Sequence, residues 1–275
     1  MQDAGAAGLD IIALTDHDTL GGVEEAREAI QGTPLVLVPG IELSAQLIEA
    51  HPHAIPRSVH LLGYFVDPQH AGLLRETENI RSHRADRLRM MVELLQRDFD
   101  ITWAEVEEHI ADGATPGRPH IAEVLIQKGY VNDTTEAFAG PLRSGGPYHV
   151  PHYAPRLHTA LSLIRDAGGV PVLAHPYTDD RNQVVDHSRP FDEVLAHYRV
   201  FVEQGLAGIE VNHREHSASA RQLLLAIAGE LDLIVTGSSD YHGDKKPNRL
   251  GENLTTEDHY ERIRALGTGS SEITG

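Results

Sequence analysis

The sequence predicts an α/β fold, either a barrel or an open sheet, whose alternation of strands and helices is interrupted by one helical segment. Six short apolar segments alternate with helix-like segments, and each carries or precedes a side chain that binds protons or metals. Residues 77–150 contain no strand-like run. The predicted strands are residues 9–14, 34–39, 58–66, 170–174, 207–211 and 231–236. Active sites of such folds lie at the carboxyl ends of the strands, so we expect these side chains to converge there.

The first predicted strand ends in a polar cluster. Residues 9–14 are apolar and rich in β-branched side chains, and Asp16, His17 and Asp18 follow them. Asp18 is explained equally well as the cap of a helix over residues 23–30. Capping needs only one such group, so Asp16 and His17 remain as candidate site residues.

The last predicted strand, residues 231–236, repeats this arrangement, because Asp240 and His242 follow it. On an extended segment, side chains two residues apart point to the same side, so both can reach one ion. A carboxylate together with an imidazole is a ligand set suited to Zn, Mn or Fe. We therefore expect Asp240 and His242 to be metal ligands.

The remaining strands also carry candidate ligands. These are Glu42 after residues 34–39, His60 within residues 58–66, His175 after residues 170–174, and His213 and His216 after residues 207–211. Taken alone, Glu42 is more simply a solvated loop residue and His60 a core histidine. Chance would scatter such groups around the strands. Their recurrence at neighbouring strands favours a multinuclear metal centre over a set of independent core histidines.

Composition limits the classes of protein to consider. The 275 residues carry a formal net charge of −18, which argues against a general polyanion-binding surface. Bound metal ions can reverse the local charge and still admit a phosphorylated substrate. The sequence has no cysteine, no apolar run of about 20 residues that could span a membrane, and no signal-peptide pattern at its start. We expect a cytoplasmic protein.

The segment of residues 77–150 predicts a small helical domain. Leu88, Met91 and Leu95 lie on one face of a charged, helix-periodic stretch. Arg118 and His120 lie at the start of a later helix, where a guanidinium beside amide donors makes a good phosphate cradle. Simple helix capping explains these residues equally well.

Several of these segments resemble motifs of the PHP (polymerase and histidinol phosphatase) family of metal-dependent phosphoesterases. They are TDHDT at residues 15–19, GIE at 40–42, the His60 strand, AHP at 174–176 and SDYHG at 239–243. Three further segments resemble one branch of that family. They are GRPH at residues 117–120, the stretch that reaches His216, and KPNRLGEN, which ends at Asn253. That branch contains nucleoside bisphosphate and AMP phosphatases and 5′-3′ exoribonucleases.

The resemblance implies a distorted (β/α)7 TIM-like barrel of the PHP type with its first strand missing, plus a small helical insertion domain. The family's opening motif, a strand ending in Asp-x-His-x-His, is absent from this sequence, and we expect it upstream of Met1. The expected organisation is a first barrel part at residues 1–76, the helical insertion at 77–150 and a second barrel part at 151–275.

The resemblance also implies two or three divalent metal ions, which we expect to be Mn, Fe or Zn. The implied ligands are Glu42, His60 and His175 in one site, Glu42 and Asp240 in a second, and His17 and His242 in a third. The resemblance implies that the second site lacks two histidines and the third an aspartate, which the family's opening motif supplies.

The implied activity is hydrolysis of phosphate monoesters of nucleotides (3′,5′-bisphosphate or AMP-like), or of the 5′ ends of short RNA, by a hydroxide that bridges two metals. We expect Arg118 to bind the substrate phosphate, and His120 or His216 to donate a hydrogen bond to it or protonate the leaving oxygen. Asp16 is expected to orient a metal ligand. The expected partners are a small phosphorylated substrate or a short RNA end, not duplex nucleic acid or a membrane.

Two alternatives remain open at this level. One is a histidinol-phosphate or other sugar-phosphate phosphatase of the same superfamily. The other is a catalytically impaired, metal-binding PHP module, which the absent opening motif supports.

Overall fold

The computed structural model describes residues 1–48, 56–111, 114–151, 153–178, 184–243 and 247–275. His51 and His53, which the sequence places in an exposed loop, lie outside the described residues, as does the start of the KPNRLGEN segment. The chain divides into two compact units, Met1–Leu74 with Pro155–Gly275, and Arg75–Ala154. Within the described ranges, no helix is long and apolar enough to cross a membrane.

The first unit contains one curled sheet that forms a half barrel, which confirms the predicted α/β class. Its strands are β1 (Ile11–Leu14), β2 (Val36–Leu47), β3 (Arg57–Tyr64), β4 (Val170–Leu173), β5 (Gly208–Asn212), β6 (Ile234–Gly237) and β7 (Ile273–Thr274). Strands β1 to β6 are neighbours in chain order, and β7 pairs with β2. All four residues of β4 are buried, as expected for a strand that is covered on both faces.

The helices of the chain are α1 (Gln2–Ala6), α2 (Val23–Ala29), α3 (Ala71–Leu95), α4 (Trp103–Glu107), α5 (Arg118–Gln127), α6 (Thr134–Ala139), α7 (Leu157–Asp166), α8 (Phe191–Glu203), α9 (Ala218–Glu230) and α10 (Glu257–Leu266). Local capping explains several of their starts. Thr102 and Glu105 form a reciprocal capping box at α4, and Asp133 caps α6.

The sheet is not purely parallel, because β3 runs in the direction opposite to its neighbours. β1 and β2 are parallel, as are β4, β5 and β6, whereas β3 runs antiparallel to both β2 and β4. No helix separates β2 from β3 in the described part of the chain, and a parallel pair needs a crossover connection between its strands. His60 therefore lies inside an antiparallel strand, opposite Ser44 of β2, and not at a carboxyl end.

The position of residues 267–275 at the end of the chain predicts a frayed tail. In the structure these residues lie against the sheet. In β7, Ile273 pairs with Leu37 and Thr274 with Val36 in β2. Ile273 also packs on the buried cluster that contains Ile30 and Leu37. The backbone of this segment packs so closely that a side chain at Gly269 would overlap the carbonyl oxygen of another loop. Pairing of this strand with β2 explains why the prediction of a frayed tail was wrong.

The second unit has its own hydrophobic core. Leu88, Met91 and Leu95 of α3 are fully buried there, together with Ile121 and Leu125 of α5. The helix periodicity of the sequence placed the α3 residues on one face, and that face is the one buried.

Candidate metal centre

Glu42 lies at the centre of the candidate site, inside β2 and not beyond a strand end. β2 is longer than the apolar run predicts because it pairs in parallel with β1 first and then antiparallel with β3. The Glu42 Oε1 atom lies 2.8 Å from Nδ1 of His60 and 3.0 Å from Nε2 of His175. Its Oε2 atom lies 3.7 Å from Nδ1 of His17. One nearly buried carboxylate therefore faces three imidazoles contributed by three other parts of the sheet.

His17 reaches Glu42 because the chain continues beside β2 after β1 ends. The backbone N–H of Glu42 donates to the carbonyl of Asp16 at 3.1 Å, and the N–H of Asp18 donates to the carbonyl of Glu42 at 2.9 Å. These bonds form an isolated parallel bridge between His17 and Glu42. The bridge places the imidazole and the carboxylate side by side.

Asp18 stabilises this arrangement. Its fully buried carboxylate accepts hydrogen bonds from the backbone N–H of Ser44 at 2.7 Å and from the Ser44 hydroxyl at 2.8 Å. Helix α2 begins later, after Gly22, without a side-chain cap. Asp18 therefore connects the His17 segment to β2 and does not cap the helix.

The charges of the cluster depend on one another. Burial raises the pKa of Glu42, but His17, His175 and His60 together outweigh it and hold that pKa well below its usual range. Burial lowers the pKa of His60. Burial also acts to lower the pKa of His175, but contact with the Glu42 carboxylate raises it to about 9. Glu42 is thus ionised at neutral pH, as a metal ligand must be.

The donor set fits a divalent transition metal. One ligand atom each from His17, Glu42 and His60 lies within 4.8 Å of the other two. The Nδ1 atom of His60 is buried near the carboxylate without the geometry of a hydrogen bond. Two oxygens and several imidazole nitrogens that face one small volume suit Zn, Mn or Fe.

A second group of candidate ligands lies beside the first. The Asp240 Oδ1 atom lies 3.3 Å from Nδ1 of His242, and its Oδ2 atom lies 3.7 Å from Nε2 of His213. Asp240 has a φ of 45° and is not extended, so a turn and not strand alternation brings it beside His242. Asn248 donates hydrogen bonds to the carbonyls of Ser239 and Asp240 and so holds this turn.

Six histidine rings connect the two groups. Consecutive ring centroids are 5.0 to 6.0 Å apart in the order His242, His17, His60, His175, His213 and His216. The predicted ligands His17, Glu42, His60, His175, Asp240 and His242 therefore all lie in one region of the first unit. Strand order explains part of this proximity, because His60, His175 and His213 lie in or just after the neighbouring strands β3, β4 and β5.

Two further residues adjoin the ligands, and the sequence did not single out their roles. Glu210 of β5 is almost fully buried, and its carboxylate accepts a hydrogen bond from the backbone N–H of His175 at 2.8 Å. Burial raises the pKa of Glu210. In the sequence, Glu210 could have been noticed as a charged residue inside the otherwise apolar predicted strand of residues 207–211. His213 was named only as one of two histidines at that strand end, yet its ring is the one that faces Asp240.

His216 makes backbone contacts with both ring nitrogens. Its Nδ1–H donates to the carbonyl of Val211 at 2.9 Å, and its Nε2 accepts from the N–H of Tyr177 at 3.4 Å. Burial is the main cause that lowers its pKa to about 4, so the ring is neutral at pH 7. These contacts favour a role in holding the loop after β5. A role as proton donor would require the ring to leave both contacts, so that prediction gains no support from the geometry.

Asp16 lies at the margin of the metal-ligand group. Its Oδ2 atom is so close to Gly22 that a Cβ there would come within 2.7 Å of it. Desolvation raises the pKa of Asp16, and the neighbouring His17 and His242 act against that shift. The position suits the predicted role of orienting the His17 side of the site.

Arg118 and His120 belong to the second unit, at the start of α5. The Arg118 Nη1 atom donates to the carbonyl of Leu142 at 2.9 Å and to the Ser144 hydroxyl at 3.3 Å. Its guanidinium lies 5.0 Å from the ring centroid of Phe138. The Nδ1 atom of His120 contacts the backbone of Gly117, which closes the first turn of the helix. Their predicted contact with substrate stays a prediction.

Comparison with known proteins agrees with the metal-binding chemistry. No protein-family model matches the chain. A 3′,5′-nucleoside bisphosphate phosphatase of Chromobacterium violaceum is 28% identical over 90% of this chain and 81% of its own length. The 5′-3′ exoribonuclease Rnm of Escherichia coli is 28% identical over 88% of this chain and 78% of its own. A solved protein of Bifidobacterium adolescentis, described as a "putative metal-dependent phosphoesterase", is 36% identical, with a TM-score of 0.85.

The Bifidobacterium structure covers 97% of this chain, and the chain covers 89% of that structure. The chain belongs to the PHP family of metal-dependent phosphoesterases. The PHP family resemblance seen in the motifs is thus confirmed, and the protein is a hydrolase that acts on phosphate esters. Divalent metal use follows from the family and from the His17–Glu42–His60 group.

Proposed function

We propose that this phosphoesterase hydrolyses phosphate monoesters of nucleotides, or the 5′ ends of short RNA, at the group of residues around Glu42. The observation that carries the proposal is the convergence of the Glu42 carboxylate with His17, His60 and His175. The names of the Chromobacterium and Escherichia relatives support the nucleotide or RNA substrate class.

We assign the metal ligands to two adjoining sets. Glu42, His17, His60 and His175 hold one set of donors, and Asp240 with His242 holds the other. The two oxygens of Glu42 face different imidazoles, which suits a carboxylate shared between two ions. We expect two or three ions of Mn, Fe or Zn. When bound, such ions supply a nucleophile at neutral pH and neutralise charge on the phosphoryl oxygens.

The protein's own residues prepare this chemistry in three ways. Glu42 is already ionised at neutral pH, so metal binding does not require it to lose a proton. Glu210 holds the backbone of His175, and Asp16 lies beside His17. Fixed ligand positions raise metal affinity, because the ordering of the ligands is completed on folding.

Arg118 and His120 are our candidates for contact with a substrate phosphate. A guanidinium fork matches phosphate oxygens bidentately, and contacts with Leu142, Ser144 and Phe138 hold that of Arg118 in place. His120 lies on the same helical turn and has an imidazole suited to donate a hydrogen bond. We also propose that the sheet of the first unit belongs to a distorted (β/α)7 barrel and that the helical unit is an insertion domain in it.

The test is hydrolysis by the metal-reconstituted chain, measured as release of phosphate or, for RNA, as release of mononucleotides. The substrates are a 3′,5′-bisphosphate nucleotide, AMP, a 5′-phosphorylated short RNA and a sugar phosphate, each with and without a chelator. We expect release from at least one of the first three and loss of activity with the chelator. Preference for the sugar phosphate would overturn the nucleotide assignment. Bound metal without turnover of any phosphate ester would favour the non-catalytic alternative.

A further inference from the structure

Tyr177 is a partly exposed aromatic residue that follows β4 at the end of the sheet where the candidate ligands lie. It comes two residues after His175, so the two backbones are at most about 7 Å apart. A tyrosine ring presents a large flat apolar surface to any group that binds beside it. The ring is not one of the proposed metal ligands, so its role at this position is separate from metal binding.

The ring of His187 supports the ring of Tyr177. The two ring centroids are 4.3 Å apart, with an angle of 49° between the ring planes. His187 is held in turn by Tyr198 of α8, which is fully buried and whose hydroxyl lies 3.1 Å from Nε2 of His187. A buried helix residue therefore fixes the imidazole against which the Tyr177 ring packs.

The backbone of Tyr177 is fixed as well. Its N–H donates to Nε2 of His216 at 3.4 Å, and Nδ1 of His216 bonds to the carbonyl of Val211 in β5. The ring centroid of His216 lies 5.4 Å from that of His213, which faces Asp240. Both the backbone and the ring of Tyr177 are thus held in place beside the candidate ligands before any substrate binds.

The surroundings of this ring suit a flat, uncharged group better than a phosphate. Burial lowers the pKa of His187 to about 4, so its imidazole is neutral at pH 7 and offers no charge to an anion. Val184 and Val185, which precede it, are 2% and 3% exposed. A neutral pair of aromatic rings favours stacking with a nucleobase, because every base has a π-face.

We propose that Tyr177, supported by His187, stacks on the nucleobase of a nucleotide whose phosphate lies at the metal centre. The inference rests on the proposed function, since it takes the substrate to be a nucleotide or an RNA end. Tyr177 contacts the substrate in this assignment, and His187 is a positioning residue that acts through it. The pair would favour phosphate esters that carry a base over those that do not.

The first measurement is the binding of adenosine to the metal-loaded chain by isothermal titration calorimetry. Adenosine has a base and no phosphate, so its affinity reports on the base alone. We expect the wild type to bind adenosine and Tyr177→Leu to weaken this binding by about ten- to a hundredfold, the usual loss for one stacking ring. Tyr177→Phe should keep the affinity, because a phenyl ring still stacks.

The second measurement compares kcat/KM for the nucleotide that the wild type hydrolyses best with kcat/KM for ribose 5-phosphate, which lacks a base. Tyr177→Leu should lower the first value by about ten- to a hundredfold and leave the second unchanged. His187→Ala should show the same selectivity with a smaller loss, since Tyr177 remains but loses its support. Melting curves establish that each variant is folded, and His187→Ala serves if Tyr177→Leu does not fold.

Phe191→Leu is the matched control, since it removes an exposed aromatic ring at the start of α8 and should change neither measurement. Equal losses on both substrates, adenosine affinity that Tyr177→Leu leaves unchanged, or no binding of adenosine by the wild type would each overturn the inference. Adenosine binding that depends on Tyr177, without hydrolysis of any nucleotide or RNA, would instead overturn the proposed function and leave the stacking site standing.

Discussion

The carboxylate of Glu210 accepts a hydrogen bond of 2.8 Å from the backbone N–H of His175. His175 has a φ of 29°, a left-handed conformation that is strained for a residue with a side chain. The ring of His175 in turn lies 3.0 Å from Glu42. A buried acid on β5 therefore stabilises a strained backbone just after the neighbouring strand β4, and that backbone directs an imidazole into the site.

Removal of Glu210 should weaken metal binding without removing a ligand. We expect Glu210→Ala to lower metal affinity by about ten- to a hundredfold, the usual range for groups that orient ligands. Glu210→Gln should lose less, because its amide oxygen still accepts from the His175 N–H. Titration of metal into chelated protein measures both, with Glu215→Ala as an exposed control. Unchanged affinity in a folded Glu210→Ala variant would limit Glu210 to packing.

Glu42→Gln should abolish metal retention at the His17–His60–His175 group. The change keeps the volume of the side chain and removes its charge, so the imidazoles lose the anion they share. We expect elemental analysis to show loss of bound metal, and phosphate release to fall by at least about 100-fold, because the nucleophile depends on the ions. Glu28→Gln, on an exposed face of α2, serves as the control. A full metal complement in Glu42→Gln would contradict the ligand assignment.

Asp18→Asn should destabilise the fold. The amide would keep one acceptor oxygen but place its NH2 group towards Ser44, which donates two hydrogen bonds to the carboxylate. Hydrogen bonds to a charged group contribute about 1.5–3 kcal/mol, and we expect a loss of this size in the free energy of unfolding. Urea denaturation measures it, with the exposed Asp10→Asn as control. Equal stability of the two variants would show that the Asp18–Ser44 contact is not stabilising.

Arg118→Ala should weaken substrate binding and leave metal content unchanged. Loss of one bidentate, charge-assisted contact is expected to lower kcat/KM by about ten- to a hundredfold, or about 1.5–3 kcal/mol. Steady-state kinetics on a 3′,5′-bisphosphate nucleotide test this, with the exposed Arg143→Ala of the same unit as control. Unchanged kinetics would return Arg118 to a structural role at the start of α5.

His187 should make the fold sensitive to acid. Its Nε2 lies 3.1 Å from the Tyr198 hydroxyl, and its buried Nδ1 has no hydrogen-bond partner among the described residues. Burial lowers the pKa of His187 to about 4. A folded pKa below the unfolded one means stability that is complete above about pH 6.5 and lost as pH falls towards 4, by at most about 2 kcal/mol at pH 5.

His187→Gln removes this titration and should flatten the acid side of the stability curve relative to the wild type. His197→Gln, an exposed histidine on α8, should not. Urea denaturation from pH 7.5 to 4.5 compares the three proteins. Parallel curves for the wild type and His187→Gln would show that His187 is protonated in the folded state as readily as in the unfolded chain.

The strands and helices were predictable because burial and periodicity are local properties. The apolar runs of β1 and β4 and the one-sided apolar face of α3 follow from residues that are close in sequence. Most of the proposed ligands were also predictable, since polar groups that interrupt an apolar strand or follow its end are conspicuous. His17, Glu42, His60, His175, Asp240 and His242 were singled out in this way.

Tertiary structure decided the features that depend on residues far apart in the chain. The antiparallel direction of β3 places His60 beside Glu42, and no local pattern encodes a strand's direction. The turn at Asp240, the order of the C-terminal strand β7 and the burial of Glu210 likewise depend on distant partners. A chain's local pattern determines which groups it can offer, and long-range packing determines which of them meet.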